Sequence, residues 1–458
     1  MEKQVKIGRE FSFGGLIKYI LPTMLTAMCL SIFKTIDDGL FVSQFVGKNA
    51  LSSINIIFPL GAVVGGIGMM FAAGGSAVCA KKMGEGRVDE ARHDFTALLL
   101  IALVLSTIVA VILNVFMDPI LRLLGATELL MEDCRTYARI TWLALPIQTL
   151  CPIVDFFYPA AGKPIMGMVS AFASGITNVV FDYILIVRMG WGVEGAALST
   201  VLGCIATVSI GIIFYSGKKH DVHFAAPTKK WTHFLARVCR TGVAQFVDSI
   251  TMGVINFIAN LVMLDLVGED GIAAYSIIGY LQYMLISAFL GITDGVSPII
   301  SYCFGSKNKE RLKRTLKRIY SFVFMLSGTV VLLCYIFSSP LVSIYVNEAR
   351  EPELFQMVME GMVFAPLGFL FAGAGCLTAG VFSALSSGKF SAIMSFCRNI
   401  IFNSATIIIL PQLFGLTGVW IASPISEFLS LLLAAYILFI NRDNYGYGPS
   451  GIARMMEN

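Results

Sequence analysis

Apolar stretches long enough to cross a lipid bilayer follow one another along almost the whole of this chain. A helix needs about 20 apolar residues to cross the hydrocarbon core, since it rises ~1.5 Å per residue. Twelve stretches meet that length: 14–41, 50–80, 94–117, 136–159, 164–188, 192–216, 234–266, 271–303, 316–338, 354–384, 390–413 and 416–440. Only 14% of the 458 residues are charged, whereas soluble domains carry about 25%. The sequence therefore predicts an all-α polytopic membrane protein with twelve transmembrane helices.

The basic residues are divided unevenly between the two sides of the predicted membrane. If the N-terminus is cytoplasmic, 25 of the 33 Lys and Arg residues fall on the cytoplasmic side and six on the opposite side. Cytoplasmic loops carry such an excess of Lys and Arg. We therefore expect a multi-pass protein of the plasma (inner) membrane with both termini in the cytoplasm. The first apolar stretch has no small-residue cleavage site, so we expect it to be retained and not removed as a signal peptide.

The two halves of the sequence repeat each other. GKNALSSINIIFPL from Gly47 resembles GEDGIAAYSIIGYL from Gly268, and WGVEGAALS from Trp191 resembles FGLTGVWIA from Phe414. The longest polar connection, 216–231, lies between the halves. We expect three parts: an N-terminal six-helix lobe (1–216), a cytoplasmic interlobe loop (217–233), and a C-terminal six-helix lobe with a short tail (234–458). Secondary transporters with such parallel repeats bind substrate between the two bundles and rock them for alternating access.

Acidic residues interrupt two apolar stretches of the first half. Asn178 and Asp182 are four residues apart, so they share one face of a helix. Asp38 lies in the first stretch. A carboxylate at the bilayer centre costs roughly 2.5–3.5 kcal/mol, so such residues usually face a protein interior or a wet cavity. Together with the hydroxyl of Thr200 they can form a small cation or proton site; the alternative is that both acids are helix-end residues near the membrane interface.

Five motifs carry a resemblance to a known family. They are DDGLFVSQFVGKNALSSI from Asp37, GGSAVCAKKMGEGRVDEAR from Gly74, NVVFDYILIVRMGWGVEGAALST from Asn178, DGVSPIISYCFGSKN from Asp294 and FGLTGVWIASPISE from Phe414. In their order, spacing and duplication the chain resembles the MATE (multidrug and toxic compound extrusion) family over essentially its whole length. The resemblance implies twelve helices in two lobes around a V-shaped cavity. It also implies export of amphipathic, often cationic drugs in exchange for H⁺ or Na⁺.

The resemblance also implies roles for particular residues. Asp38 lies where the family has an acid in its first helix. Asn178 and Asp182 match the family's N-x-x-x-D on the fifth helix, and Thr200 matches the sixth-helix hydroxyl that joins them in the cation site of some prokaryotic members. We therefore expect these four residues to couple transport to H⁺ or Na⁺. Lys34, one turn before Asp38, departs from the family pattern; an ion pair between the two would modulate coupling, so the identity of the ion stays open.

The second half lacks acids at the repeated positions. At the repeat offsets Asp38 corresponds to Ala259, and Asp182 falls near Ala405 and Thr406. A purely architectural role for the two acids, shared by both lobes, is therefore disfavoured. We expect the N-terminal lobe to be the coupling lobe.

Other polar residues within the spans are candidates for the substrate cavity. They are Gln148, Asp155, Gln245, Asp248, Asn256, Gln282, Arg398 and Glu427. The alternative for each is a hydrogen bond between helices or an interfacial position.

Two other function classes deserve comparison with the efflux antiporter. A lipid-linked oligosaccharide flippase of the same superfamily would carry extra spans and a strongly basic cavity, whereas only Lys34 and Arg398 are expected to be buried bases in this chain. A membrane-embedded enzyme would need a nucleophile–base pair or a metal cluster, and the four histidines fall in loops or at helix ends. We expect no catalytic residues, no cofactor beyond the coupling H⁺ or Na⁺, no nucleic acid and no obligate protein partner. Its partners would be the lipid bilayer and small drugs or organic cations, and it would function as a monomer.

Overall fold

The regular elements of this protein are helices. A computed structural model describes residues 6–36, 46, 48–128, 130–218, 220–227, 231–343, 345–346, 348, 351–445 and 447, and no strand occurs among them. The α-helices are α1 (Phe13–Ile36), α2 (Lys48–Gly84), α3 (Val88–Val115), α4 (Met117–Leu123), α5 (Met131–Leu143), α6 (Leu145–Ala160), α7 (Pro164–Asp182), α8 (Gly192–Ser216), α9 (Trp231–Leu266), α10 (Glu269–Gly305), α11 (Lys309–Ile336), α12 (Ser338–Ser343), α13 (Pro352–Phe364), α14 (Phe369–Ala384), α15 (Gly388–Ser395) and α16 (Asn403–Asn441).

These helices provide the twelve predicted spans. In the described part of the chain, nine helical segments are long and apolar enough to cross a membrane, and α5 with α6, bent by 52° between them, forms a tenth. The last of the nine runs from Gly388 to Asn441 and is broken by a kink at Gly415, whose φ of 57° is a conformation that glycine adopts readily. It therefore holds two spans. The 36 residues of α9 supply the remaining one, which confirms the all-α, twelve-span prediction.

Two spans change their helical geometry along their length. The fifth span continues from α7 into a π-helix, Tyr183–Arg188, and the eleventh continues from α15 into a π-helix, Phe396–Phe402. The two π-helices lie in corresponding spans of the two halves, the first near the end of its span and the second nearer the start. Short π-helical segments inside α-helices occur frequently at functional sites.

The two halves pack closely through glycines of α2 and α9. A Cβ atom on Gly74 of α2 would overlap the carbonyl oxygen of Val238 in α9, and a Cβ on Gly242 of α9 would overlap the carbonyl oxygen of Met70 in α2. Only residues without a side chain let the two backbones approach so closely. This crossing joins the N-terminal half to the C-terminal half.

A second pair of glycines brings α2 and α10 together at one end of the bundle. A Cβ on Gly84, the last residue of α2, would overlap the carbonyl oxygen of Tyr302 in α10, and one on Gly305 would overlap that of Lys81. We call this end, which contains the α2–α3 turn, the α10–α11 turn and the first described residues, the basic end. It is the end that the Lys and Arg distribution predicts to face the cytoplasm.

The connection between the halves is attached to the N-terminal half. Arg92 of α3 donates a hydrogen bond to the carbonyl oxygen of Asp221 at 3.0 Å, and the backbone N–H of Ala225 donates to the hydroxyl of Thr96 at 3.0 Å. In the described part of this connection the chain therefore follows the surface of α3.

Candidate coupling and substrate sites

Asp182 lies at the contact between α7 and α8. It is the last α-helical residue before the first π-helix, and it is fully buried. The hydroxyl of Ser199 in α8 donates a hydrogen bond to its carboxylate. Asn178, one turn earlier on α7, is 8% exposed. The carboxylate of Asp182 therefore points into protein.

A glycine explains why the two helices meet here. Gly203 of α8 lies so close to α7 that an added Cβ would be 3.2 Å from the carbonyl oxygen of Ser174 and 3.4 Å from the Cβ of Asn178. The hydroxyl of Ser174 donates to the carbonyl oxygen of Gly203 at 3.0 Å. This close approach brings Ser199, one turn before Gly203, against Asp182.

Ser199 was not identified from the sequence, which pointed to its neighbour. The hydroxyl of Thr200 donates to the carbonyl oxygen of Ala196 in its own helix at 3.0 Å, and its oxygen lone pairs stay available as ligands. The signal that could have found Ser199 is its position beside Thr200 in the same motif. Asp38 and the side chain of Lys34 lie outside the described residues, so their roles stay predictions.

A second polar group lies within the N-terminal half, between α6 and α7. Ser170 is close to the carboxylate of Asp155 and to the hydroxyl of Tyr158. One oxygen of Asp155 and the hydroxyls of Tyr158 and Ser170 are buried without a well-aligned hydrogen bond to the described protein atoms. Buried polar atoms of this kind usually bind water or an ion.

The C-terminal half contains a buried ion pair. Arg398, in the second π-helix, donates to both carboxylate oxygens of Glu427 in α16, at 2.7 and 3.0 Å. The two residues are 8% and 5% exposed. Bidentate pairs of this kind are the strongest guanidinium–carboxylate contacts. Arg398 is therefore a neutralised cation.

Two further carboxylates lie near this pair. Asn399 donates from its side-chain amide to Asp248 of α9, and Gln245 donates to Asp294 of α10 at 3.5 Å. The carboxylates of Asp248 and Asp294 are close enough to interact electrostatically. Asp294 and Asn399 were missed by sequence reasoning. An acid inside the apolar stretch 271–303 was the available signal for Asp294.

The C-terminal half thus contains acids, although not at the repeated positions. Ala259 and Thr406 occupy the places that correspond to the N-terminal acids. The C-terminal carboxylates come from other positions, namely Asp248, Asp294 and Glu427. Among the described residues, no three His, Cys, Asp or Glu side chains are arranged to hold a metal ion.

Two of the remaining predicted cavity residues have hydrogen-bond partners outside this cluster. Gln148 donates to the carbonyl oxygen of Thr141 at 3.4 Å, across the break between α5 and α6. Gln282 of α10 donates to the hydroxyl of Ser423 at 3.5 Å and lines an otherwise apolar cavity of about 270 Å³ between α10, α11 and α13. The side chain of Asn256 lies outside the described residues.

A helical bundle with paired halves, buried carboxylates and a polar cluster in each half defines a polytopic membrane transporter. The MatE family model matches residues 22–184 and again residues 245–409, and the chain belongs to this family. It is 28% identical over 438 residues to the multidrug export protein MepA of Staphylococcus haemolyticus, with 94% of each chain covered. A MepA of Staphylococcus aureus is 27% identical over 440 residues, again with 94% of each chain covered.

The fold is also that of solved transporter structures. The outward-facing conformation of a multidrug resistance MATE family transporter of the MOP superfamily superimposes with a TM-score of 0.90. That comparison covers 97% of this chain and 99% of the other, at 19% sequence identity. The likeness extends over both halves and confirms the predicted fold.

Proposed function

We propose that this protein is a secondary active multidrug efflux antiporter that exports amphipathic, often cationic compounds in exchange for H⁺ or Na⁺. The observation that carries the proposal is the fully buried carboxylate of Asp182, bound by Ser199, inside an apolar span. The names of the MepA relatives support the choice of drugs as substrates. The chain would be neither an enzyme nor a cofactor-dependent protein, and it would function as a monomer.

Coupling follows from the cost of burying a charge. The negative charge of a buried carboxylate is neutralised either by a proton, which converts it to the acid, or by a bound cation. The coupling residues would be Asp38, Asn178, Asp182 and Thr200, with Ser199 as an additional oxygen ligand and Lys34 as a modulator. Ion binding and drug binding need only favour opposite states of the transporter for antiport to occur.

The C-terminal cluster favours cationic substrates. This cluster contains three carboxylates and one guanidinium, and the guanidinium is already paired with Glu427. When all are ionised, the carboxylates of Asp248 and Asp294 leave an excess of negative charge. A cavity beside them would attract organic cations and repel an anionic lipid-linked sugar, which disfavours the flippase alternative. Gln148, Asn256 and Gln282 would contribute to the same cavity.

Alternating access would use the two halves as rocking bodies. We propose residues 1–216 and 234–458 as the lobes, connected by the loop 217–233, with the basic end in the cytoplasm. The glycine contacts of α2 with α9 and α10 hold the lobes together at and near that end, which suits a state that is open to the outside. Transport would require these contacts to separate.

Purified protein in lipid vesicles tests the proposal. A fluorescent organic cation should move against its gradient when a pH or Na⁺ gradient is imposed, and the two gradients are imposed separately to identify the ion. The control is the Asp182→Asn variant, which should insert normally but transport only passively. Absence of gradient-driven movement for several cations in well-folded wild-type vesicles would falsify the proposal.

A further inference from the structure

The first described residues of the chain lie across the C-terminal half. We call residues 6–11 the N-terminal strap; it contains a short 3₁₀-helix, Lys6–Gly8, and leads into α1. Ile7 in the strap is fully buried and Phe11 is largely buried. The strap belongs to the N-terminal half by sequence, although its main polar contacts are with α11 of the C-terminal half.

Arg311 makes those contacts. Its guanidinium donates three hydrogen bonds of 2.6 Å, to the carbonyl oxygens of Ile7, Gly8 and Arg9. The side chain is only 7% exposed. No carboxylate of the described residues lies within ion-pair distance of it. Arg318, two turns later on α11, donates to the carbonyl oxygen of Phe11.

A buried guanidinium needs acceptors, because it remains charged and offers only donors. Here its acceptors are carbonyl oxygens of one short segment that belongs to the other half of the protein. The side chain of Arg311 is therefore satisfied only while the strap is in place. If the halves separate at this end, the strap has two possible courses. Either it moves with α1 and leaves Arg311, or it stays on Arg311 and is pulled away from α1.

Tyr302 fixes the strap from a second direction. A Cβ on Gly8 would lie 2.7 Å from the hydroxyl oxygen of Tyr302, so this position accepts only glycine without displacement. The guanidinium of Arg311 lies 5.6 Å from the centre of the Tyr302 ring. The backbone carbonyl of Tyr302 is also the group that Gly84 of α2 approaches. Tyr302 therefore contacts both the strap and the α2 helix of the other half.

We propose that Arg311 latches the N-terminal strap across the basic end and thereby holds that end of the transporter closed until the lobes rock. The proposal rests on the proposed function, since it assumes alternating access. Arg311 is a positioning residue in this scheme: it does not contact substrate or coupling ion. Loss of the latch should raise the population that is open at the basic end, whether or not substrate is present.

Distance measurement by pulsed electron paramagnetic resonance tests the latch in the full-length protein in lipid. Spin labels attached through Glu85→Cys and Ser306→Cys, both exposed and on opposite halves, report the separation of the α2–α3 and α10–α11 turns. Arg311→Met should raise the ratio of long to short distances about tenfold. Arg311→Lys, which keeps the charge but not the planar fork, should give an intermediate ratio.

Arg314→Met is the matched control. Arg314 is one turn further along α11, is 54% exposed and approaches Glu10 of the strap only at 3.7 Å. The Arg314→Met substitution should leave the distances between the spin labels unchanged. Gly8→Ala, which forces either the strap or the Tyr302 ring to shift without altering α11, should also raise the ratio of long to short distances and covers the case in which an α11 variant fails to fold.

The latch is overturned if both Arg311→Met and Gly8→Ala show the distance distribution of the unsubstituted protein. Efflux by the unsubstituted protein in the same vesicles decides the proposed function separately. If the unsubstituted protein is active in efflux and the distances in both variants are unchanged, the latch alone is rejected. If the unsubstituted protein shows no efflux, the proposed function is rejected, and the distances still decide whether the latch exists.

Discussion

Ser199 donates a hydrogen bond to the fully buried carboxylate of Asp182 across the contact between α7 and α8. The neighbouring hydroxyl of Thr200 bonds within its own helix instead. Two adjacent residues of one motif therefore have different surroundings, and this difference can be measured.

We expect Asp182→Asn to abolish gradient-driven efflux, because the neutral amide cannot take up a proton and has no negative charge to attract a cation. Ser199→Ala should shift the pH or Na⁺ concentration for half-maximal transport, since it removes a hydrogen bond to the carboxylate. Thr200→Val, which keeps the shape, should cause a smaller shift. Transport rates in vesicles over a range of pH and Na⁺ concentration give the comparison; an equal shift for Ser199 and Thr200 variants would contradict the assignment of Ser199.

The C-terminal carboxylates should select for positive charge. Asp248→Asn and Asp294→Asn should weaken binding of organic cations, while neutral amphipathic compounds should be affected much less. Equilibrium binding of one cationic and one neutral fluorescent compound measures the difference. A parallel loss for both compounds would indicate general disruption of the cavity and count against charge recognition.

Removing one partner of the buried Arg398–Glu427 pair should destabilise the protein. Glu427→Gln leaves a buried guanidinium without its charged partner and should lower the free energy of unfolding by roughly 3–5 kcal/mol. The double variant Arg398→Met, Glu427→Leu should recover most of that loss, because an apolar pair has no charge to compensate. Thermal unfolding in detergent tests both; equal losses in the single and double variants would show that the pair is not the source of the effect.

The crossing of α2 and α9 should not accept a side chain at its glycines. Gly74→Ala places a Cβ against the carbonyl oxygen of Val238, and such overpacking costs roughly 1–3 kcal/mol. Gly65→Ala on the same helix is the control, because no atom lies within 4 Å of the added Cβ and alanine favours helix by up to about 1 kcal/mol. Thermal unfolding should therefore separate the two variants, and a similar effect of both would refute the close approach.

The predicted orientation can be tested with single cysteines in a background without reactive cysteines. Ser216→Cys and Lys307→Cys, both at exposed positions, should be labelled only from the cytoplasmic side. Glu128→Cys, an exposed residue between α4 and α5, should be labelled only from outside. Labelling of Ser216→Cys from outside intact cells would show that the predicted orientation is wrong.

The hairpin of α4 and α5 offers a pH-dependent contact outside the membrane spans. The Arg135 guanidinium beside Asp118 holds the pKa of that carboxyl below its usual value of 3.8. The contact therefore stabilises the hairpin above the usual pKa and is lost as the pH falls through the lowered pKa. The hydrogen-exchange protection factors of residues 117–135, which correct for the intrinsic pH dependence of exchange, should therefore fall in acid, and Arg135→Gln should remove that fall.

Much of the architecture follows from local properties of the sequence. Each span needs only its own run of about 20 apolar residues, so twelve spans can be counted without knowing how they pack. The repeat at Gly47 and Gly268 is equally local and indicates two related halves. The high cost of a charge in the bilayer is also a property of one residue, which is why Asp182 could be expected to face protein.

The partners of those residues depend on packing between distant segments. Asn399 meets Asp248 from 151 positions away, and Arg311 meets Gly8 from 303 positions away. Such contacts require the rotation of each helix, and the π-helix after Asp182 and the one containing Arg398 change that rotation in a way that α-helical spacing cannot predict. The sequence alone therefore determined the spans, the repeat and the costly buried acid. Only the tertiary structure decided that Ser199 binds Asp182 and that Arg398 is neutralised, because both depend on how closely and at what rotation two helices meet.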